Sequence, residues 1–234
     1  MSKVDLIDHM GDDTTVVNAA RVSFDKNIDD VMSFKDEKLI KYLAEHGHWS
    51  PFSHVFDTFK IKASIFVARQ LQKHQVGLGW NEVSRRYVDN EPDFWYPLLW
   101  RERSKDKKQG STPHEVHGNE WFDRKYREVI KISTEAYRDM IKGGVCPEQA
   151  RAILPQSMYT SWYWSGSLYA FARVCNLRLQ DDAQAETRFV AQSIDYYMRN
   201  LYPVSWKNLV KTVPIATSTR MKEINDETWP GPGV

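Results

Sequence analysis

The stretch QLQKHQVGLGWNEVSRRY, Gln70 to Tyr87, sets a Lys, a His and a Gln beside two glycines and follows them with Asn81, Glu82, Ser84, Arg85 and Arg86. Just before it, IFVARQLQKHQ has helical character up to Gly77, and just after the glycine turn NEVSRRYVD reads most easily as extended chain. One short segment thus joins a helix, a turn and the start of a strand, and crowds polar groups of different chemistry around the turn. Further upstream, His54 to Ser64 alternates, with Val55, Phe59, Ile61 and Ala63 on one face and His54, Thr58, Lys60, Lys62 and Ser64 on the other, which predicts a half-buried strand.

Working outward, SFKDEKLIKYLAEHGHWSPF predicts an amphipathic helix with Ser33 as N-cap, Leu39, Ile40 and Leu43 as its apolar stripe, and a break near Gly47 and Pro51. Residues 89–118 are polar and interrupted by Pro92, Pro97 and Pro113, so they read as an irregular excursion anchored by Trp95, Tyr96 and Trp100. From Asn119 a long helix spaces Phe122, Tyr126, Val129, Ile130, Tyr137 and Met140 along one face and stops at Gly143 and Gly144. A short helix follows with Pro147 in its first turn and Arg151 inside it. Two more helices are expected over about Ser161–Leu177 and Asp182–Leu201, and the tail 212–234 loses its pattern. The fold class is α+β, helix in excess, with residues 1–234 as one domain.

The chain has 234 residues, 41% of them hydrophobic, enough for a real core. Its 32 Lys and Arg against 31 Asp and Glu give no global field for nucleic acid or an anionic membrane, so any anion site is local. No apolar run approaches a membrane span, and MSKVDLIDHM carries acids where a signal peptide is basic and then apolar; the expected location is cytoplasmic. Cys146 and Cys175 match no metal spacing and are expected to be buried thiols.

Four arginines, Arg69, Arg86, Arg151 and Arg178, fall near turns. An Arg fork binds phosphate or a uracil-like imide edge through paired hydrogen bonds, so their convergence makes an anion pocket, whereas taken singly each is a solvated Arg beside an acid. His48, His54 and His74 lack the spacing of a helical metal site, and His114 and His117 lack the completing ligands, so no metal is expected. No nucleophile elbow surrounds Ser84, whose hydroxyl suits hydrogen bonding to an anion beside Arg86. Neither a dinucleotide-binding glycine fingerprint nor a Walker loop is present.

AARVSF (Ala19–Phe24), HWSPFSH (His48–His54), FVARQ (Phe66–Gln70), NEVSRRY (Asn81–Tyr87), PEQARAILP (Pro147–Pro155), and NLR with AQAE (Asn176–Glu186) resemble, in order, the blocks of the flavin-dependent thymidylate synthases, the ThyX family. The resemblance implies a homotetramer of helix-rich α+β subunits with a small antiparallel sheet, FAD at subunit interfaces, and reductive methylation of dUMP to dTMP. Methylenetetrahydrofolate is then the carbon donor and NADPH the reductant. It implies dUMP contacts at Gln70, Lys73, Glu82, Ser84, Arg85, Arg86, Arg151 and Arg178, with Arg178 and Ser84 in the catalytic machinery. It implies FAD contacts at Ser50, Lys73, His74, Gln75, Glu82, Ser167, Tyr169 and Arg173. The family signature, Arg-His-Arg, seven residues, then Ser, is here Lys73-His74-Gln75, eight residues, then Ser84, the extra residue falling most simply within the glycine turn. Ser167, Leu168 and Tyr169 stand where the family has Asn-Ala-Arg, and Asp182 where a His is common. Two rival classes are a non-catalytic nucleotide- or flavin-binding module with an altered signature, and a nucleic-acid-binding domain using Arg85, Arg86 and the aromatics near Trp95. The near-zero net charge argues against the second.

Overall fold

The computed structural model describes residues 1–27, 32–105 and 110–211. In order they form β1 (Lys3–Met10), α1 (Asp13–Arg21), α2 (Phe34–Glu45), β2 (Phe56–Ser64), α3 (Ile65–Leu71), β3 (Leu78–Glu82), β4 (Arg101–Arg103), β5 (Ser111–Glu115), α4 (Asn119–Lys142), α5 (Pro147–Ala150), β6 (Tyr159–Ser167), α6 (Leu168–Arg178), α7 (Ala185–Leu201) and α8 (Pro203–Leu209). A four-stranded antiparallel sheet in the order β1-β2-β6-β3 carries the core on one face, and β4 and β5 form a separate hairpin.

Alternation builds that core. Phe59, Ile61 and Ala63 of β2 and Trp162 and Trp164 of β6 are fully or almost fully buried, and α6, α7 and α8 close over them with Phe171, Val190, Ile194, Met198 and Trp206. Trp80 of β3 stacks on Trp162 with ring centroids 4.4 Å apart, so the short edge strand is held by its indole as well as by its ladder. The α2 cap forms as expected, the Ser33 backbone N–H donating to Asp36 Oδ2 at 2.7 Å.

Several expectations change. The helix foreseen over Ser161–Leu177 is a strand to Ser167 and a helix only from Leu168: Thr160, Trp162, Trp164 and Gly166 are buried between more exposed Ser161, Tyr163 and Ser165, a period of two in a β-prone aromatic run. The extended reading of NEVSRRYVD holds to Glu82, after which Ser84–Tyr87 folds into a turn closed by the Tyr87 N–H on the Ser84 carbonyl at 3.0 Å. The helix before Gly77 ends at Leu71, which leaves Lys73, His74 and Gln75 in the turn. The strand expected from His54 begins at Phe56, His54 closing a preceding 3₁₀ turn, and the excursion 89–118 contains the β4–β5 hairpin. Cys175 is buried but Cys146, capping the four-residue α5, is exposed. Helix α8 was not foreseen, and the tail 212–234 lies outside the described residues. Among the described residues no helix is long and apolar enough to cross a membrane.

Candidate active site

The turn between α3 and β3 is fixed by what lies under it. Gly77 has φ +77°, which favours glycine, and a Cβ there would stand 3.1 Å from the Ala170 Cβ. Opposite, Gly166 pairs with Leu78, and a Cβ on it would come within 2.4 Å of Leu78 Cδ2 and 2.6 Å of the Gly77 carbonyl oxygen. Two side-chain-free positions therefore let the turn lie directly on the corner where β6 becomes α6. Ser167 caps that helix, its Oγ accepting from the Ala170 N–H at 3.3 Å.

Along α6 the turn meets a basic cluster. Arg178, the last helical residue, donates from Nε to His74 Nε2 at 3.0 Å. Burial, then the positive charges of Arg178 and Arg173, push the His74 imidazole down to about 4. His74 is thus neutral at ordinary pH, and because Nε2 accepts, its proton sits on Nδ1. Tyr169, Arg173 and Leu177 follow at four-residue steps as one stripe of the same helix, and the exposed Trp49 ring lies 6.4 Å from Tyr169, beside Ser50.

A second cluster surrounds the Ser84 turn. Ser84 Oγ accepts from the Arg86 N–H at 3.3 Å, Arg86 Nε lies 3.3 Å from Glu148 Oε2, and Arg151 Nε donates to the Glu148 carbonyl at 3.2 Å. The Arg86–Glu148 pair is half-exposed on both sides and therefore weak enough for a phosphate to displace. Arg85 is committed elsewhere, to the main-chain carbonyls of Asn90 and Glu91. Between the clusters, Glu82 at the end of β3 accepts from Thr160 Oγ1 at 2.8 Å and from Trp80 Nε1 at 3.2 Å. On α3, Gln70 Oε1 is buried and has no hydrogen-bond partner among the described residues.

The structure therefore brings the sequence-selected residues together as two groups, one at His74, Arg173 and Arg178 and one at Ser84, Arg86 and Arg151. Among the described residues no hydrogen bond or ion pair joins them, and Arg69 is exposed outside both. No group of three potential metal ligands occurs among the described residues. The sequence reading did not single out Glu148, Thr160 and Trp49, although Glu148 lies inside PEQAR and Trp49 inside HWSPFSH; their roles depend on which distant side chain each meets.

The sequence model of the family described as thymidylate synthase complementing protein matches residues 5–204. The chain belongs to the flavin-dependent thymidylate synthases. It is 37% identical over 210 residues to the flavin-dependent thymidylate synthase of Thermosipho africanus, covering 88% of this chain and 90% of that one. It is also 37% identical over 203 residues to that of Thermus thermophilus, covering 87% and 73%. Its fold matches the UMP/dUMP methylase PolB of Streptomyces cacaoi, bound with 5-Br dUMP, at a TM-score of 0.82 and 28% identity over 92% of this chain and 98% of that one.

The residues present fit a flavin dinucleotide as this synthase family requires. Lys73 and Arg173 supply exposed cations, Arg173 acting on His74 and Lys73 beside it in the chain, Gln75 supplies an amide, and the Trp49 and Tyr169 rings offer flat apolar surface.

Proposed function

We infer that this protein methylates dUMP to dTMP, with FAD at the site, methylenetetrahydrofolate as carbon donor and NADPH as reductant. The observation that carries the reading is Arg178: a half-buried guanidinium with no carboxylate within ion-pair distance among the described residues, its Nε on a neutral imidazole and its terminal nitrogens left for a ligand. Such a group favours a ring that gains negative charge, as uracil does when its C5 becomes a nucleophile. Arg86, Arg151 and the Ser84 hydroxyl suit the nucleotide phosphate, with Gln70, Lys73 and Glu82 completing the nucleotide contacts. Ser50, Lys73, His74, Gln75, Glu82, Ser167, Tyr169 and Arg173 line the flavin's place, and the flavin supplies hydride transfer when bound. Among the described residues no base is placed to remove the Ser84 proton, so Ser84 orients substrate and is not a covalent nucleophile.

The two residue groups also favour assembly. A homotetramer that sets the Arg178 cluster of one subunit against the Ser84 cluster of another completes the site that one chain holds in halves. The relatives' shared name as synthases favours catalysis over the non-catalytic module. Visible absorption of the purified protein with and without added FAD, followed by an assay for dTMP with all three small molecules, tests the reading. A flavin spectrum and dTMP formation are expected. A monomer that stays colourless in excess FAD and forms no dTMP overturns it.

A further inference from the structure

His74 is held as a rigid post. Its backbone N–H donates to the Leu71 carbonyl at 2.9 Å, and three residues later Gly77 rests on Ala170, so the turn that carries the imidazole is pinned at both ends. The side chain meets Arg178 through an Nε–H to Nε2 bond of 3.0 Å, and Arg178 and Arg173 are the charged groups that face it, with Lys73 adjacent in the chain. A guanidinium has five N–H donors in one plane; with Nε engaged, the other four belong to the two terminal nitrogens and form a fork. An exposed arginine samples many rotamers, and each alternative dilutes the geometry a transition state needs. Anchoring Nε fixes the plane and the direction of the fork together.

We propose that His74 is a positioning residue for methyl transfer: as a neutral acceptor it fixes Arg178 by its Nε edge and aims the terminal NH₂ groups at the imide edge of the pyrimidine. The role rests on the reading of Arg178 given under Proposed function. It needs the imidazole uncharged, since an imidazolium has no lone pair on Nε2 and would repel the guanidinium. Burial first, and then Arg178 and Arg173, hold the imidazole down at about 4, which keeps that lone pair available at neutral pH. It also assigns His74 no proton transfer of its own.

Two measurements decide this. Imidazole nitrogen NMR of the flavin-free protein, with the His74 signal assigned by its absence from His74→Gln, is expected to show the neutral Nδ1–H form with no titration above about pH 5. A proton on Nε2, or a midpoint near the ordinary His value of about 6.5, overturns the proposal. In dTMP formation at saturating FAD, where both His74 variants lose the imidazole's contact with the flavin, His74→Gln, which keeps an acceptor, is expected to keep kcat roughly fivefold or more above that of His74→Leu. His74→Leu, which keeps bulk without an acceptor, is expected to lose roughly tenfold or more in kcat with a smaller change in KM for dUMP. In an Arg178→Lys background, which has no Nε edge to anchor, His74→Leu is expected to cost no more than His74→Gln does; a Leu–Gln difference as large as in the parent, or no rescue by Gln in the parent, overturns the proposal. If the parent protein itself makes no dTMP, the functional reading fails, and the NMR result still decides whether His74 anchors Arg178.

Discussion

At the scale of single residues, Arg178 and Ser84 separate electrostatics from positioning. A guanidinium set against the imide edge is worth more once the ring carries charge, so Arg178→Ala is expected to lower kcat by about a hundredfold, roughly 3 kcal/mol, while dUMP binding weakens less. Arg178→Lys should recover part of that, because a point charge cannot reproduce the fork, and flavin reduction by NADPH should persist in both variants. Steady-state kinetics at saturating dUMP settle it; parent-like dTMP formation by the Ala variant would remove Arg178 from the mechanism. Ser84→Ala deletes the acceptor that holds the Arg86 N–H, so KM for dUMP should rise about tenfold while measurable turnover remains. Trapping of a covalent adduct at Ser84 would contradict that. The identities of these residues were legible in the sequence because Arg and Ser beside turns carry recognisable chemistry. Their partners were not: nothing in the chain order announces that His74 meets Arg178 104 positions away or that Glu148 spans Arg86 and Arg151.

At the scale of elements, α2, β2 and α4 follow from local signals alone: a capping Ser, a clean alternation, and a long apolar stripe ended by two glycines. The strand β6 did not, because it runs into α6 at Ser167–Leu168 with no loop between them, so strand and helix read as one element until the neighbouring strands are known; its place between β2 and β3 decides the matter. Its Gly166 is the element-level support of the signature turn. Gly166→Ala is expected to push β3 and the turn off the α6 corner, since the new methyl meets a backbone carbonyl at 2.6 Å as well as the Leu78 side chain. A stability loss of about 2 kcal/mol, with a larger proportional loss of FAD affinity, is the expected result of urea unfolding and flavin titration. Unchanged flavin affinity would show that the turn keeps its shape without this contact.

At the scale of the molecule, the proposed tetramer, with its half-sites on separate subunits, predicts complementation: mixing the impaired Arg178→Ala and Arg86→Ala proteins under conditions of subunit exchange should restore about one quarter of the sites. No recovery after verified exchange argues for a site within one chain. Stability carries its own pH signature. Asp57 is buried on the core face of β2, takes a hydrogen bond from the Tyr202 hydroxyl at 2.7 Å, and is raised by burial to about 7, its Oδ2 having no partner among the described residues. An unfolded Asp titrates near 3.9, so the folded state holds the extra proton between about pH 4 and 7; the contribution of Asp57 to stability is fully present below that window and falls as pH rises through it. Asp57→Asn should flatten this dependence and exceed the parent in denaturant midpoint at pH 8, and an unchanged slope between pH 4 and 7 would assign the titration elsewhere. Finally, Asp13 in α1 receives the backbone N–H groups of Val204 and Ser205, both at 2.8 Å, at the start of α8, and α1 and α2 both pack on that helix. A nascent chain therefore leaves the Asp13 carboxylate without these two donors while nearly all the rest is translated, roughly ten seconds or more at ordinary elongation rates, and the ribosome must release the last described helix before that clasp can close.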